Sequence, residues 1–243
     1  MPWIPLRGVA ALHALDSASR GGALHALNSV SRGGTLHALD SASRGGSFVK
    51  LRHMTDIDDQ IIATTRRWLE CAVIGLNLCP FAKAVHVKAQ IRYAVSAATT
   101  TEALLDDLER ELCFLRDANP DLVDTSLLIL PNVLKTFSDF ADFLDLAEVV
   151  LRTHRLEGVL QIASFHPDYV FADADVDDVA NYSNRSPYPM LHLLREASVS
   201  RATKAYPDAT LIFERNIQTL KALGIDGWRA LQVGTVVGSG DKT

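Results

Sequence analysis

Apolar residues recur at helical spacing in five stretches of the chain, which predicts five helices. The first is predicted to end near Gly75 or Asn77, where its apolar stripe stops. Thr99 and Glu102 form the pattern of a capping box at the start of the second. Pro187 stands at the first helical position of the fourth, where proline is favoured. The predicted helices begin near Ile57, Thr99, Ser138, Ser186 and Asp208.

Three shorter stretches between these helices predict strands. Gln90–Ser96 alternates between apolar and polar residues, whereas the apolar run Thr125–Leu130 suits a strand buried on both faces. Val159–Phe165 is the third strand. The order α-β-α-β-α-β-α-α therefore predicts an α/β fold, with a small, mostly parallel sheet of about three strands and helices packed on it. We expect one globular domain over residues 54–232 and a flexible tail over residues 233–243.

A different pattern fills residues 1–53, where a 12-residue unit repeats almost without change. LHALDSASRGG occurs from Leu12 and from Leu36, with LHALNSVSRGG between them from Leu24. Such a unit is too short to build a supersecondary element, and the Gly-Gly pair in each copy interrupts a helix. We therefore expect a low-complexity, disordered arm. Two origins remain open: a targeting arm, since it is rich in Arg and Ser and poor in acids, or an extension translated upstream of a start at Met54.

Charge divides the chain at the same place. The net charge of −5 combines +4 over residues 1–53 with −9 over the remainder. The acidic remainder argues against nucleic-acid binding, which needs a basic surface. No apolar run reaches the roughly 18 residues that a membrane-spanning helix requires. The three cysteines are an odd number and show no C-x-x-C spacing, so we expect neither a disulfide framework nor a zinc ribbon, and a reducing compartment fits. These features indicate neither a cofactor nor an oligomeric state.

The longest of the predicted loops follows the third strand and is rich in functional groups. It leaves the carboxyl end of the sheet, where ligands usually bind in open α/β folds. His166 stands where the strand ends, so its imidazole is a candidate general base, with Asp168 as the carboxylate that orients it. The alternative is that His166 only forms a hydrogen bond with a loop carbonyl.

A candidate anion site lies at the end of the same loop. The helix predicted from Ser186 would expose backbone N–H groups and a positive dipole end beside Arg185. Such a terminus binds carboxylates or phosphates. The alternative is that Arg185 pairs with an acid within residues 173–178. The ligand-binding candidates are Asn184, Arg185, Ser186, Tyr188 and His192.

Cys79 is a candidate nucleophile. Pro80 follows it and suggests a short helix through Lys83, and a thiol at a helix N-terminus has a lowered pKa. The alternative is a small buried residue among apolar neighbours. A metal site that combines Cys79, His86 and His166 is not favoured, because no pair of them has ligand spacing such as H-x-x-x-H.

The acidic part carries six specific motifs: WLE-x-AVIGLNLCPFAKAVH, ILPN, QIASFHPDYVFA, NYSNRSPYPMLHLLREAS, AYPDA-x-x-x-FERNI and GW-x-AL. Together they resemble the bacterial domain-of-unknown-function family 1415, from about Asp58 to Leu231. The resemblance implies a bacterial, cytoplasmic, single-domain protein and no particular activity. It also implies a start near Met54, which favours the upstream-extension origin of the arm.

These residues support three functional hypotheses. The first is an enzyme acting on a small anionic metabolite, with His166 and Asp168 in acid-base roles and Cys79 as nucleophile. Arg185 would hold the anion. The second is a non-catalytic module that binds a small ligand or a protein through the same anion site. The third is that the motifs only lock a long loop onto the core, with their polar groups buried and bonded to one another.

Overall fold

The computed structural model describes residues 44–172, 174–205 and 211–234. Most of the predicted arm, residues 1–43, lies outside the described residues, as do residues 235–243 of the predicted tail. The described backbone is already helical from Arg44, earlier than the start predicted near Ile57. Val233 is 3% exposed and packs in the core, so the packed part of the chain continues past the predicted boundary at residue 232.

The described chain forms an α/β domain with six α-helices and a four-stranded sheet. A π-helical turn over Leu69–Ile74 continues the first helix, and a 3-10 turn over Val179–Ser183 lies in the long loop. The helices are α1 (Arg44–Trp68), α2 (Ala82–Val87), α3 (Thr101–Asp117), α4 (Phe137–Thr153), α5 (Glu196–Ala205) and α6 (Ile212–Ala230). The strands are β1 (Ile91–Val95), β2 (Thr125–Ile129), β3 (Leu160–Phe165) and β4 (Met190–Arg195).

The sheet is mixed, with the order β1-β2-β4-β3. β1 and β2 pair in parallel, and β4 pairs antiparallel with both β2 and β3. The three predicted strands therefore all run in one direction, as expected. The prediction of about three mostly parallel strands is wrong in one respect: a fourth, antiparallel strand lies between β2 and β3.

This fourth strand occupies the segment that was predicted to be a helix from Ser186. Two X-Pro pairs, with Pro187 and Pro189, precede it, and a residue before proline is driven out of the helical conformation into an extended one. The backbone of Pro189 already joins the ladder, because its carbonyl accepts the N–H of Leu130 at 2.9 Å. Once extended, Met190–Arg195 satisfies the backbone groups of both neighbouring strands.

Helices cover both faces of the sheet and define two hydrophobic clusters. One cluster joins α3 and α4 to the sheet, through Leu108 and Phe140 among others. The other joins α1, its π-helical turn and the end of α6 to the opposite face, with Trp68 and Phe165 in edge contact at 5.3 Å. The described residues contain no helix long and apolar enough to cross a membrane.

Two helix starts differ slightly from the predicted ones. Thr100, rather than Thr99, caps α3, because its hydroxyl accepts the N–H of Ala103 at 3.3 Å. Thr136, rather than Ser138, caps α4 by accepting the N–H of Asp139 at 3.2 Å. Both caps follow the expected chemistry, a hydroxyl bonded to the third N–H of the helix.

The first helical segment ends in a tight turn, as predicted near Gly75. A Cβ on Gly75 would lie 2.3 Å from the carbonyl oxygen of Cys71, so only glycine fits after the π-helical turn. Asn77 then takes a left-handed conformation with φ 54°. This geometry turns residues 75–80, GLNLCP, outward toward the start of α6. We call this segment the GLNLCP turn.

α6 contains a break at Gly224, where φ is 68° and the predicted helix was expected to stop. Its start was predicted near Asp208, which lies outside the described residues. The part before the break faces the GLNLCP turn. The part after it brings Trp228 into edge contact with Tyr182 at 5.1 Å, so α6 also packs on the long loop.

Candidate functional site

His166 is fully buried at the end of β3, and backbone groups engage both of its ring nitrogens. Nδ1 accepts the N–H of Asp168 at 3.0 Å, which leaves Nε2 to donate its proton to the carbonyl of Leu134 at 3.2 Å. The ring lies between Phe137 and Phe140, at centroid distances of 5.5 and 5.2 Å. Burial lowers the pKa of His166 below its usual range. This geometry favours the alternative in which His166 bonds a loop carbonyl.

The structure also changes the role predicted for Asp168, the carboxylate expected to orient His166. Its backbone N–H, rather than its carboxylate, holds the imidazole in one tautomer, and its side chain is exposed. A neutral ring with both nitrogens occupied by the backbone is a poor general base.

Asn184 and Ser186 join the end of the loop to the strand that begins it. Asn184 is 3% exposed and donates from Nδ2 to the carbonyl of Ser164 at 3.1 Å. Its own carbonyl accepts the N–H of His166 at 3.2 Å. The N–H of Ser186 donates to the carbonyl of His166 at 3.4 Å, and its hydroxyl donates to the carbonyl of Tyr188 at 2.6 Å. These bonds hold the loop closed at its base.

Arg185 forms hydrogen bonds to other residues of the same long loop. Its Nε donates to the carbonyl of Tyr169 at 3.3 Å and one terminal nitrogen donates to the carbonyl of Val176 at 2.9 Å. The guanidinium also lies over the ring of Tyr182 at 4.3 Å. The alternative predicted that Arg185 pairs with an acid of residues 173–178. Among the described residues, its partner in that stretch is a backbone carbonyl, that of Val176. Since β4 replaces the helix predicted from Ser186, the premise of a helix N-terminus beside Arg185 is wrong.

Cys79 lies on the other face of the sheet from His166. It packs in the cluster that contains Phe165, whereas His166 contacts Phe140 in the opposite cluster. Burial raises the pKa of the Cys79 thiol to about 11, although the N–H groups of Phe81 and Ala82 oppose the shift. A short helix does follow Cys79, but α2 begins at Ala82 with Phe81 as its N-cap, so Cys79 does not cap it as predicted, and a thiol with this raised pKa is protonated at neutral pH. These observations favour the alternative of a small buried residue.

No metal-binding cluster of His, Cys, Asp and Glu occurs among the described residues. His86, which was weighed as a ligand, instead lies 3.4 Å from a carboxylate oxygen of Glu70.

His192 lies on β4 rather than on a helix. Its Nε2 is 2.7 Å from the hydroxyl of Thr125, and that hydroxyl donates to the carbonyl of Leu193 at 2.6 Å. Nε2 is therefore the protonated nitrogen and His192 donates to Thr125. Burial lowers the pKa of His192 from 6.5 to about 4. Tyr188, the remaining predicted ligand residue, packs against the cluster that contains Phe165.

The depressed pKa of His192 makes stability depend on pH. Between pH 6.5 and about 4 the unfolded chain binds a proton at this residue that the folded chain refuses, so stability falls as the pH falls through this window. We expect His192 to account for a loss of about 1.5 kcal/mol between pH 6.5 and pH 5. Urea titrations at both pH values should show a smaller difference for His192→Gln. His86→Gln is the control for removal of a half-buried imidazole outside the sheet, which lies 3.4 Å from Glu70, and an equal change in both variants would contradict the assignment.

A cleft of about 230 Å³ opens between the GLNLCP turn and the first turns of α6. Leu76, Asn77 and Pro80 form one wall. Ile212, Arg215, Asn216, Gln218 and Thr219 form the other. The side-chain amide of Asn216, which is 2% exposed, donates to the carbonyl of Leu78 at 2.9 Å and joins the two walls. None of the predicted site residues lines this cleft.

The sequence did not indicate the residues of the cleft, because they lie in two separate parts of the chain. Arg215 and Asn216 belong to the FERNI motif, and Asn77 belongs to the GLNLCP turn, both of which carried the family resemblance. The available signal was therefore the polar residues within these two motifs. Nothing in either motif indicates that the two meet.

The described residues and these motifs define an α/β protein with a mixed four-stranded sheet. The model of the family described as protein of unknown function, DUF1415, matches residues 60–230. The chain belongs to this family, which confirms the resemblance seen in the motifs. No curated protein and no solved structure matches the chain.

Proposed function

We propose that the domain binds a small anionic ligand in the cleft between the GLNLCP turn and α6. The observation that carries the proposal is the composition of its lining. The amides of Asn77 and Gln218 and the hydroxyl of Thr219 accompany the guanidinium of Arg215, which also has a further interaction within the chain, and no residue of the described lining is acidic. In a part of the chain with net charge −9, a cleft that combines a cation with neutral donors is suited to a negative ligand.

The second wall is one face of a helix near its N-terminus. Ile212, Arg215 and Thr219 follow one another at spacings of three and four residues, so their side chains lie along the same stripe. Ile212 and Arg215 belong to the first turn of α6, which also carries Glu214.

The cleft is also held open in advance. Asn216 bonds the GLNLCP turn directly, and Gly75 with the left-handed Asn77 fixes the shape of that turn. A site whose walls are already joined loses little conformational freedom when a ligand binds.

The sequence predicts a small anionic ligand at Arg185, and this proposal keeps that kind of ligand but assigns it to the cleft that Arg215 lines. It is closest to the non-catalytic hypothesis, and the bonds of His166 and Arg185 support a locking role for the long loop. The proposal includes no catalytic step.

The test is a titration of the full chain, labelled with ¹⁵N, with inorganic phosphate, butyrate and 2-hydroxybutyrate. We expect at least one of them to shift the side-chain amide signals of Asn77 and Gln218. Arg215→Gln should weaken that binding at least tenfold, because a charge-assisted hydrogen bond is worth roughly 1.5–3 kcal/mol. Arg152→Gln makes the same change at an exposed position in the last turn of α4 and should leave binding unchanged. Equal affinities of the wild type and Arg215→Gln would contradict the proposal.

A further inference from the structure

We infer that two copies of this chain associate through the outer edges of their β1 strands and form one continuous sheet of eight strands. The two strands pair antiparallel about a two-fold axis at Tyr93. The inference is independent of the proposed ligand cleft, and it rests on the sheet edge that the described part of the chain leaves open.

The two edges of the four-stranded sheet differ in how they are covered. β3, at one edge, is buried at all six positions, and the long loop closes its end through the bonds of Asn184 to Ser164 and His166. β1, at the other edge, is only half-buried at all five positions. Folded proteins cover or interrupt the edges of their sheets, because an open edge pairs with other chains. β1 is therefore the edge that a partner can extend.

Alternate residues of β1 direct their backbone groups away from β2. The carbonyl of Gln90 accepts the N–H of Thr125, so in this parallel ladder the even-numbered residues from 90 to 96 bond β2. The outward groups belong to Ile91, Tyr93 and Val95. Within the described ranges, no backbone or side-chain group forms a hydrogen bond with these three N–H and three carbonyl groups. An antiparallel partner strand satisfies all of them.

One antiparallel register uses every outward group and avoids opposed charges. With the axis at Tyr93, this residue faces its own copy and Ile91 faces Val95, so the outward groups form six hydrogen bonds. Arg92 then stands opposite Ala94 of the second copy. Moving the axis to Arg92 would place two guanidinium groups directly opposite each other, which destabilises a sheet. Moving it to Ala94 carries Ile91 past the end of the opposing strand.

The charge within β1 does not block this pairing. A charged side chain in an edge strand usually opposes the approach of another strand. In Arg92, however, Nε and Nη2 each donate to the Glu111 carboxylate at 2.9 Å, and the guanidinium lies 4.3 Å from the ring centroid of Phe114. Its charge is compensated and its side chain is held against α3, so the backbone edge stays accessible.

The charges at the two ends of β1 are complementary. Lys83 and Lys88 are exposed and precede the strand. Its other end lies beside α3, since the hydroxyl of Ser96 donates to the Asp107 carboxylate at 2.5 Å. α3 carries six acids and two arginines. Antiparallel pairing therefore brings the basic start of each strand to the acidic end of the other, whereas parallel pairing would bring like charges together.

Sedimentation velocity of the full chain over a concentration series tests for association. We expect a monomer–dimer equilibrium with a dissociation constant of roughly 1–100 µM, because a five-residue edge forms a small interface. Val95→Pro removes one outward N–H and leaves the bonds to β2 in place. It should weaken association at least tenfold. Val95→Thr keeps the N–H and the branched shape, and it should associate as the wild type does.

Hydrogen exchange of the wild-type chain tests the same edge without any variant. The amides of Ile91, Tyr93 and Val95 should be protected above the dissociation constant and should exchange rapidly below it. The amides of Arg92 and Ala94 should be protected at both concentrations, because they bond β2. In a mixture of labelled and unlabelled chains, an intermolecular NOE between the α-protons of Arg92 and Ala94 should confirm the register.

Four results would overturn the inference. A chain that is still a monomer at about 1 mM does not pair through this edge. Outward amides that are protected in a monomer show that residues of the same chain cover the edge. A dimer whose outward amides exchange rapidly uses another surface. The same conclusion follows if Val95→Pro, shown to be folded by circular dichroism, associates as tightly as Val95→Thr.

Discussion

Replacing Trp68 with alanine should lower the free energy of unfolding by about 4 kcal/mol, the range found when large aromatic side chains are removed from cores. Trp68 is 2% exposed and contacts Phe165 edge-on at 5.3 Å. Its Nε1 donates to the carbonyl of Arg185 at 2.9 Å, so it joins α1 to the end of the long loop. The substitution leaves both a cavity and an unpaired carbonyl.

Urea unfolding followed by far-UV circular dichroism measures this change without depending on tryptophan fluorescence. Trp68→Phe separates the two contributions, because it fills most of the cavity but cannot donate to Arg185. We expect it to cost about 1–2 kcal/mol, the penalty of one unsatisfied buried group plus a small packing defect. A loss below about 1 kcal/mol in Trp68→Ala would show that the loop does not depend on this contact.

Replacing His166 with alanine should cost about 3 kcal/mol. The alanine leaves the carbonyl of Leu134 and the N–H of Asp168 without partners and opens a gap between Phe137 and Phe140. Each unsatisfied buried group costs roughly 1–3 kcal/mol. His166→Asn should recover about 1 kcal/mol, since its side-chain oxygen can still accept the N–H of Asp168.

The titration of the same residue tests the general-base hypothesis directly. With its pKa lowered by burial, the ring of His166 should titrate below the usual range of histidine, so its NMR ring-proton signals should move less between pH 8 and pH 6 than those of a histidine in a model peptide. A titration near pH 7 would demonstrate a water-accessible base and would restore the enzyme hypothesis. A stability loss in His166→Ala of less than about 1 kcal/mol would contradict the structural role.

The fold was largely predictable because most of its elements are local. The apolar spacing of α3 and α4 and the three short apolar strands each report on a single segment, and the structure contains all of them. The helix caps were displaced by one or two residues, from Thr99 to Thr100 and from Ser138 to Thr136. Several hydroxyls lie near each helix start, and the capping residue is the one whose side-chain oxygen accepts the third N–H of the helix.

β4 could not be recognised from its own residues. MLHLLREAS has apolar spacing that suits a helix, and Pro187 stands where a helix would begin. The segment becomes a strand because β2 and β3 both offer unpaired edges to it, a condition that only the assembled sheet creates. That error also produced the helix terminus beside Arg185.

For the candidate site, too, the sequence predicted the position of a residue along the chain but not its contacts in space. The position of His166 at the end of a buried strand was predicted correctly, but its chemistry depends on Leu134, which lies 32 residues earlier in the chain. The cleft depends on contacts over a longer separation still, since Asn216 and Leu78 are 138 residues apart. Residue types within one motif do not indicate which other motif they will face.

The sequence by itself determined the family, the α/β class, three of the four strands and the division of charge at residue 53, because each depends on composition or on neighbours along the chain. Only the tertiary structure decided that Cys79 is buried with a raised pKa, that Arg185 bonds its own loop, and that Arg215 lines a cleft. The physical reason is that pKa, accessibility and ligand geometry depend on the groups that surround a side chain in space. Packing of the sheet and helices brings those groups together from distant parts of the chain.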